Sequence, residues 1–498
     1  MTGAGADGGV DSDVDGLLSG LTRFLLKHSA EGAFELRNTV RSVGRSYGAQ
    51  AEILAVAEGA VLTVKHPDDR DYHDTIRVAP ELARLDLVSK AKFLVNRILA
   101  GELSAAAARR ELAGLESTRD PYQWWLRLIG TALFAVGFAP GVQQTWHEVG
   151  ATAILGAVMG LMFIAAEWAG GLRVLLPIVG TIVVAVIAFE LLDAKNAPGG
   201  PVLLMIPGLF ILIPGDLLCA ATAEIAVGQF TPGAVRLAQA AVTLVQLAAG
   251  VVIAAELTGV GLKTLSEPAV TGHTLPTWLV AVAWIPFTFG LALTFNARMR
   301  DVPWMLLLVY VAWGLQELVL AHSLVVPQEG ETGATGAVFI AAAALAFGAG
   351  VLEQFRGLPP RGVTILAGFF ALTVGAVALR GLTSLAGTPT VQGFADIRDA
   401  TSETVALTLG LIAGAVPAAA IGAYRRRPRA AGPAQRPAGL SAPPWRLSAA
   451  HRRSHVPGGR RRGPGRGRPS AAGPAVDRPG RRGRRRPGRR GHRGPGPL

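Results

Sequence analysis

Ten apolar runs follow one another along most of the chain, and they limit its fold more than any other feature. Each run is about long enough for a helix to cross a bilayer, which takes ~20 residues. Half of all residues are hydrophobic and the mean hydropathy is +0.38, which is too apolar for an ordinary soluble protein of 498 residues. The sequence predicts an all-α polytopic membrane protein with about ten transmembrane helices, over residues 124–143, 149–168, 172–192, 201–223, 233–256, 275–296, 302–324, 332–354, 359–381 and 401–423.

A more polar region precedes these runs. Residues 1–15 are rich in Gly and Asp and are predicted to be disordered, and residues 16–120 are predicted to form a small α+β soluble domain. Within it, residues 51–66 are typical of two short strands with a turn at Glu58-Gly59. Residues 83–101 have the spacing of an amphipathic helix, and Ser104 is placed to cap the next one.

Charge is distributed very unevenly along the chain. Residues 424–498 hold 22 Arg and one acid, so they carry +21, whereas the rest of the chain carries −8 of the formal total of +13. The composition of this Arg/Pro/Gly-rich tail predicts disorder. It could bind anionic lipid or, non-specifically, nucleic acid. A GC-rich reading frame would also encode such a tail by chance.

The basic residues of the loops orient the ten runs. The first 20 residues contain four Asp and no Lys or Arg, unlike a secretory signal, so we expect the N-terminus to stay in the cytoplasm. Because ten is an even number of crossings of the inner membrane, we expect the C-terminus to lie in the cytoplasm too. The loops predicted to face the cytoplasm contain Arg173, Arg236, Arg298, Arg300, Arg356 and Arg361.

The fourth run, which includes MIPGLFILIPGD at residues 205–216, is interrupted by two Pro-Gly pairs. Pro207 and Pro214 remove backbone donors, and Gly208 and Gly215 weaken a helix, so we expect the helix to break twice. A broken helix leaves backbone groups that lipid cannot satisfy, whereas a water-filled cavity can. A helix restarting after Gly215 would direct its positive end into such a cavity and could bind a carboxylate. The alternative is that both pairs only kink an ordinary span.

A weak internal repeat divides the runs into two sets of five. GLFILIPG (208–215) and GFFALTVG (368–375) match at four of eight positions with an offset of 160, and Gly250 and Gly410 share that offset. The two halves are placed at 124–263 and 275–423. Because five is odd, the second half would start on the opposite side of the membrane. Inverted repeats with broken helices are a recurring transporter architecture.

The chain resembles the threonine/serine exporter family over residues 20–423. The resemblance rests on short motifs, namely Gly48-Ala49-Gln50-Ala51-Glu52, Arg77-Val78, Leu85-Asp86-Leu87, then Pro214-Gly215, Glu224, Gly228, Gly233 and Arg236, and in the second half Gly368 and Gly375. The chain departs from the pattern at Glu224, where Asp is expected, and at Ala367 and Val374, where prolines are usual.

This resemblance implies a secondary active exporter of threonine or serine, driven by inward proton flow. Export of a dicarboxylate or another small acid is the alternative within transport, and a non-transporting membrane scaffold is the alternative from another class. No zinc-protease helix, nucleophile elbow or P-loop occurs in the sequence, so we expect neither an enzyme nor a cofactor. The expected partners are a small amino acid and membrane lipid, with homo-oligomerisation left open and no specific nucleic acid.

Ionisable residues within the runs are the remaining candidates, because charge inside a membrane is costly. Asp216 follows the second Pro-Gly pair and could bind a proton or the substrate ammonium, or cap the restarting helix. Glu224 lies two turns further and either couples protons or pairs with Arg236 at the interface. Glu317 in the seventh run is the third candidate. The predicted substrate-binding residues are Pro207, Gly208, Pro214, Gly215, Asp216, Gly368 and Gly375, and the predicted proton-coupling residues are Asp216, Glu224 and Glu317.

Overall fold

The computed structural model describes residues 4–426 except 29–31, 57–58, 69, 79–83, 170–171, 195–196, 199, 227, 267–274, 323–331, 356, 373–378 and 384–390. The Arg-rich tail beyond residue 426 lies outside the described residues. The elements are α1 (Ala4–His28), α2 (Ala33–Ser46), β1 (Gln50–Val56), β2 (Gly59–Lys65), β3 (Asp71–Arg77), α3 (Leu85–Leu99), α4 (Ala105–Glu116), α5 (Trp124–Phe138), α6 (Trp146–Trp168), α7 (Leu172–Leu191), α8 (Pro201–Leu209), α9 (Gly215–Ala226), α10 (Phe230–Leu257), α11 (Thr277–Thr294), α12 (Val302–His322), α13 (Thr332–Leu352), α14 (Arg361–Ala371) and α15 (Val391–Arg426).

The N-terminal region folds into an antiparallel three-stranded sheet, in the order β1-β2-β3, with helices α1 to α4. The paired strands over residues 51–66 and the cap at Ser104, whose hydroxyl accepts from the Ala107 N–H at 3.3 Å, confirm two predictions from the sequence. Strand β3 was not predicted. The domain has its own apolar core, with fully buried side chains such as Leu17, Leu62 and Leu94.

Within the described residues, the prediction of disorder over residues 1–15 is wrong from Ala4 onwards, because α1 begins there. Within this segment, Asp11 and Asp15 contact His66 at 3.4 Å and 2.8 Å, and Val14 is buried in the domain core. An Asp-rich segment is therefore ordered here by tertiary contacts that composition does not reveal.

Each of the ten apolar runs contains helix in the described part of the chain. By length and composition, six of these helices can cross a membrane, namely Trp146–Trp168, Arg173–Leu191, Phe230–Leu257, Met299–Ala321, Ala334–Leu352 and Gly393–Gly422. The apolar helices Pro201–Leu212, Trp278–Thr294 and Arg361–Ala371 are shorter. The chain is therefore a mostly helical protein with several membrane-grade helices.

The fourth run breaks once rather than twice. Helix α8 continues through Pro207 and Gly208 to Leu209, which corrects the prediction that the first Pro-Gly pair ends a helix. A 3-10 turn follows over Phe210–Leu212, and Ile213 is extended with φ −64° and ψ 121°. The chain then restarts as α9 at Gly215, as predicted. Pro207 is tolerated because it lies within the last turn of α8, whereas Pro214 precedes the first residue of α9 and favours an extended Ile213.

The same neighbour relations occur in the two sets of membrane helices. In the first set α6 packs on α5, α7 and α8, and α7 packs on α8 and α10. In the second set α12 packs on α11, α13 and α14, and α13 packs on α14 and α15. Helices α5 and α11, the first of each set, pack against each other.

The contact between α5 and α11 is very close. A Cβ atom built at Gly130 would lie 2.5 Å from Leu293 Cβ, and one built at Gly137 would lie 2.3 Å from the Phe287 N. The partner residue number falls as the α5 number rises, so the two helices cross antiparallel. Glycine is needed at this crossing because the two backbones approach too closely for any side chain.

The N-terminal domain contacts three separate loops of the membrane region. The Leu85 N–H donates to the Phe295 carbonyl at 3.0 Å in the loop between α11 and α12. Lys92 lies 2.6 Å from Glu353 after α13, and Arg37 donates to Gln229 at 3.1 Å between α9 and α10. These loops are three of the four that the charge pattern placed on the cytoplasmic side.

Candidate functional site

Buried aromatic rings surround the helix break. The Phe210 ring, in the 3-10 turn, stacks on Phe138 of α5 with 4.0 Å between centroids. Phe134 lies 5.5 Å from both Phe210 and Phe370, and Phe210 lies 5.3 Å from Phe370. Rings from α5, the break and α14 thus form one aromatic cluster in which Phe134 and Phe210 are each 1% exposed.

The two segments of the proposed repeat meet at this cluster. Gly215, the first residue of α9, faces the rings of Phe369 and Phe370, and a Cβ atom built on it would lie 3.1 Å from the nearest carbon of Phe369 and 2.9 Å from that of Phe370. Phe370 belongs to GFFALTVG and Gly215 to GLFILIPG. The helix break is therefore in van der Waals contact with the segment that the predicted repeat pairs with it.

The other predicted residues of these segments are packed rather than open. Gly208 lies against Leu155 of α6: a Cβ atom built on Gly208 would lie 2.7 Å from Leu155 Cβ. A Cβ atom built on Gly368 would lie 2.4 Å from a methyl group of Leu345. Pro207 and Pro214 are buried. Gly375 lies outside the described residues.

Asp216 is the second residue of α9, directly after the break. Its backbone lies where a helix has N–H groups without an intrahelical acceptor, so this end carries partial positive charge. Its side chain lies outside the described part of the chain. The position of the residue is therefore known, and its role stays a prediction.

Glu224 lies at the other end of α9 and is 1% exposed. Its Oε1 accepts from the Ala33 N–H at 2.7 Å, and its Oε2 lies 3.2 Å from Arg236 Nε. The geometry of the Arg236 contact is too oblique for a hydrogen bond, so the two groups form an ion pair only. This is the interfacial pairing that the sequence offered as an alternative to proton coupling.

Glu317 does not join the helix break. It lies on an exposed face of α12, next to Leu318, whose side chain is 47% exposed. The structure thus brings together Gly215, Asp216 and the segment around Gly368 and separates Glu317 from them. The role of Glu317 in proton coupling remains a prediction.

Gln143 is a membrane-region residue that the sequence analysis missed. It is 1% exposed, and its amide donates to Thr152 Oγ1 at 2.6 Å and to the Leu204 carbonyl in α8 at 3.2 Å. This carbonyl lies one turn before Gly208, in the helix that the break ends. A polar residue at the end of an apolar run was the available signal, because backbone groups near a break need partners that lipid cannot supply.

No group of His, Cys, Asp and Glu within the described residues is arranged to hold a metal ion. The site consists instead of a helix break, closely packed glycines and a buried aromatic cluster. Together with several membrane-grade helices and a separate α+β domain, these features define a multi-pass helical membrane protein.

A family model described as "Putative threonine/serine exporter" matches residues 17–258. This match confirms, over residues 20–258, the resemblance to the threonine/serine exporter family found in the sequence. It spans the N-terminal domain and the first five apolar runs, and ends with α10. Comparison with curated proteins and with solved structures gave no match.

Proposed function

We propose that the protein is a secondary active exporter of threonine or serine, driven by inward proton flow. The observation that carries this proposal is the helix break at Phe210–Pro214, in contact with the corresponding segment of the second half, in a chain whose first half matches an exporter family. A broken helix near the centre of a bundle supplies backbone groups for a polar substrate that lipid would not tolerate.

The ten crossings would form two inverted repeats related by a pseudo-twofold axis between α5 and α11. A twofold relation requires reciprocal contacts, and the offset of 160 pairs Gly130 with Gly290 and Leu133 with Leu293. A Cβ atom built at Gly130 would lie 2.5 Å from Leu293 Cβ, and one built at Gly290 would lie 2.8 Å from the carbonyl carbon of Leu133. The antiparallel crossing supports inversion rather than a parallel repeat.

A second pair of glycines with the same offset supports this arrangement. Gly250 of α10 packs on α7, with 2.7 Å from a built Cβ to Thr181 Cβ, and Gly410 of α15 packs on α13, with 2.4 Å to the Phe339 carbonyl oxygen. Helices α10 and α15 are the fifth of their sets, and α7 and α13 are the third. Matching residues therefore lie at matching contacts.

The orientation follows from the N-terminal domain. The loops that contact it come after the fourth, sixth and eighth apolar runs, as expected if each run crosses the membrane once. If the domain is cytoplasmic, as its sequence predicts, both ends of the chain lie on the cytoplasmic side of the inner membrane. The positive-inside rule favours the same orientation.

In the proposed mechanism the substrate carboxylate binds at the N-terminal end of α9. The N–H groups of the first turn and the helix dipole would attract it, as helix N-termini attract anions generally. Asp216 is the first candidate for binding the proton and the substrate ammonium, with Glu224 and Glu317 as further proton-coupling candidates. Pro207, Gly208, Pro214, Gly368 and Gly375 would shape the site rather than supply charge.

The test is transport by the purified chain in proteoliposomes. Counterflow of labelled threonine, challenged with unlabelled serine or succinate, identifies the substrate, and an imposed pH gradient identifies the coupling. We expect serine to compete and the gradient to accelerate threonine movement. Displacement by succinate alone would replace the substrate with a dicarboxylate. Absence of exchange with all three solutes, from folded protein, would refute their export and favour another substrate first and the scaffold second.

The Asp216→Asn variant tests the proposed proton site. We expect it to lose gradient-driven transport while it remains folded in the membrane, because an amide cannot take up and release the proton. Glu256→Gln, an exposed residue near the end of α10, is the matched control and is expected to behave as wild type. Full gradient-driven transport by Asp216→Asn would remove Asp216 from the mechanism. Deletion of residues 430–498 should leave transport intact, whereas a scaffold acting through its tail would lose function.

A further inference from the structure

The first turn of α2 in the N-terminal domain contacts both α9 and α14. The Ala33 N–H donates to Glu224 Oε1 of α9 at 2.7 Å. Two residues later, Glu35 accepts from Arg361 Nη2, in the first turn of α14, at 2.8 Å. One helical turn of the soluble domain therefore binds the two membrane helices that carry the break and its counterpart.

The contact with α9 is buried and closely fitted. Glu224 is 1% exposed, and a Cβ atom built at Gly32 would lie 2.9 Å from Glu224 Cγ. The carboxylate faces the positive N-terminal end of α2 and also pairs with Arg236 at 3.2 Å. A buried carboxylate that loses such partners is strongly destabilised, so this contact is either fully formed or fully open.

The contact with α14 belongs to a short chain of charges. Lys92 of α3 lies 2.6 Å from Glu353 at the end of α13, and Arg361 also acts on Glu353. Burial raises the pKa of Glu353, but the attraction and hydrogen bond of Lys92, with help from Arg361, outweigh it and hold the pKa below its ordinary value. The carboxylate therefore stays charged at neutral pH, and the charges alternate from Lys92 to Glu35.

Both membrane helices can transmit displacement between the break and the N-terminal domain. Helix α9 spans 12 residues from Gly215 at the break to its C-terminal end beside Glu224, a length of about 18 Å at 1.5 Å per residue. Helix α14 connects Arg361 to Gly368 and Phe370 in 11 residues. A relative movement of the two segments at the break must therefore displace Glu224 and Arg361 relative to each other.

We propose that the first turn of α2, with Glu35, Glu224 and Arg361, is a clamp that holds the two halves together in the described state and must open during each transport cycle. This proposal rests on the proposed function, because alternating access requires one half to move against the other. The three residues are positioning residues, since they act on the helix break through α9 and α14 and not on the substrate.

The decisive experiment locks the clamp covalently. Glu35→Cys and Arg361→Cys are introduced in a Cys219→Ala background, because Cys219 is the one native cysteine. A short bis-methanethiosulfonate reagent then joins them, and a reductant releases them. The control pair is Arg41→Cys with Glu52→Cys, whose side chains lie 3.9 Å apart within the N-terminal domain. Threonine counterflow is measured before modification, after it, and after reduction.

We expect crosslinking at positions 35 and 361 to slow counterflow at least about tenfold, because the gating movement becomes rate-limiting, and we expect reduction to restore the rate. The control pair should change the rate less than about twofold under the same reagent. Counterflow at the unmodified rate by the locked protein would overturn the clamp while leaving the exporter proposal intact. Absence of counterflow by the wild type would instead refute the exporter proposal, so the two failures are distinguishable.

A second pair of variants covers the case in which the cysteines themselves disturb the fold. Arg361→Glu alone places two carboxylates together and should change the counterflow rate several-fold by opening the clamp. Combining it with Glu35→Arg restores an ion pair of reversed polarity and should return the rate toward wild type. Equal rates for the single and double variants would show that the pair does not govern movement, and would overturn the proposal.

Discussion

The crossing of α5 and α11 predicts a large effect from adding one methyl group. In Gly290→Ala, the new Cβ would lie 2.2 Å from Phe134 N, 2.6 Å from the Gly130 carbonyl oxygen and 2.8 Å from the Leu133 carbonyl carbon, whereas ordinary contact begins at 3.4 Å. All three atoms belong to the backbone of α5. No side chain can rotate away to relieve these overlaps, so the helices themselves must separate by about 1 Å, a gap that forfeits a quarter to half of each dispersion contact.

The expected cost follows from that separation. Overpacking of a core by one or two methyl groups costs about 1–3 kcal/mol, and we expect about 3 kcal/mol here because backbone must move. On the scale of about 2–4 °C per kcal/mol for domains of 150–250 residues, the unfolding midpoint should fall by about 6–12 °C. Gly130→Ala should have a similar effect, because its built Cβ lies 2.5 Å from Leu293 Cβ.

Thermal unfolding of purified protein in detergent, followed by tryptophan fluorescence, measures this difference. The matched control is Gly314→Ala in α12, where a built Cβ meets no atom within 4 Å. Alanine is the better helix former by about 1 kcal/mol in an exposed helix, so the control should be neutral or slightly more stable. An unchanged midpoint for both Gly290→Ala and Gly314→Ala would refute the close antiparallel crossing, and with it the support for an inverted repeat.

Three further substitutions test other contacts. Phe210→Ala should cost about 3–5 kcal/mol, because the ring is 1% exposed and stacks on Phe138, whereas Phe230→Ala, with a ring 67% exposed, should have little effect on the same unfolding midpoint. Glu353→Gln should destabilise the protein at neutral pH but progressively less below pH 4.5. The pKa of this carboxyl is lowered in the folded state, so its stabilising charge is lost as the pH falls from the unfolded-state pKa through the folded-state pKa. A constant difference in unfolding midpoint between the two proteins from pH 7 to pH 4 would contradict this. Glu224→Ala should destabilise more than Glu224→Gln, since glutamine keeps an acceptor for the Ala33 N–H, and equal unfolding midpoints would argue against that hydrogen bond.

Local chemistry made part of the fold predictable. Ser104 could be identified because a serine before an apolar helical pattern satisfies an end N–H, and the strand pair because β-branched residues flank a Gly turn. Strand β3 could not be identified from the sequence, because Ile76 is its one buried residue and the other residues of DYHDTIR do not form an apolar face. Such an edge strand forms because β2 offers a free edge, which is a property of the sheet and not of the segment.

In the candidate site, too, features set by local sequence could be predicted and features set by long-range contacts could not. The backbone restrictions of Pro214 and Gly215 predict a helix break, and the structure has a break at these residues. Pro207 does not break α8, because it lies in the last turn of that helix. Gln143 was not identified from the sequence, because what distinguishes it is its hydrogen bond to the Leu204 carbonyl, which is 61 residues away along the chain. Residue type alone does not reveal a long-range hydrogen bond.

Glu224 shows why long-range contacts matter when residues are assigned to the transport mechanism. A charged residue inside an apolar run is by default a candidate for transport chemistry, and by that rule Glu224 and Asp216 rank together. The structure separates them, because Glu224, near the C-terminal end of α9, is contacted by Ala33 of the soluble domain, 191 residues away, and by Arg236 of α10. Asp216 lies at the opposite end, at the first turn after the break. In the proposed mechanism, one short helix would therefore place the substrate at its start and the contact of Glu224 with the soluble domain at its end, so that a movement at the helix break would displace Glu224.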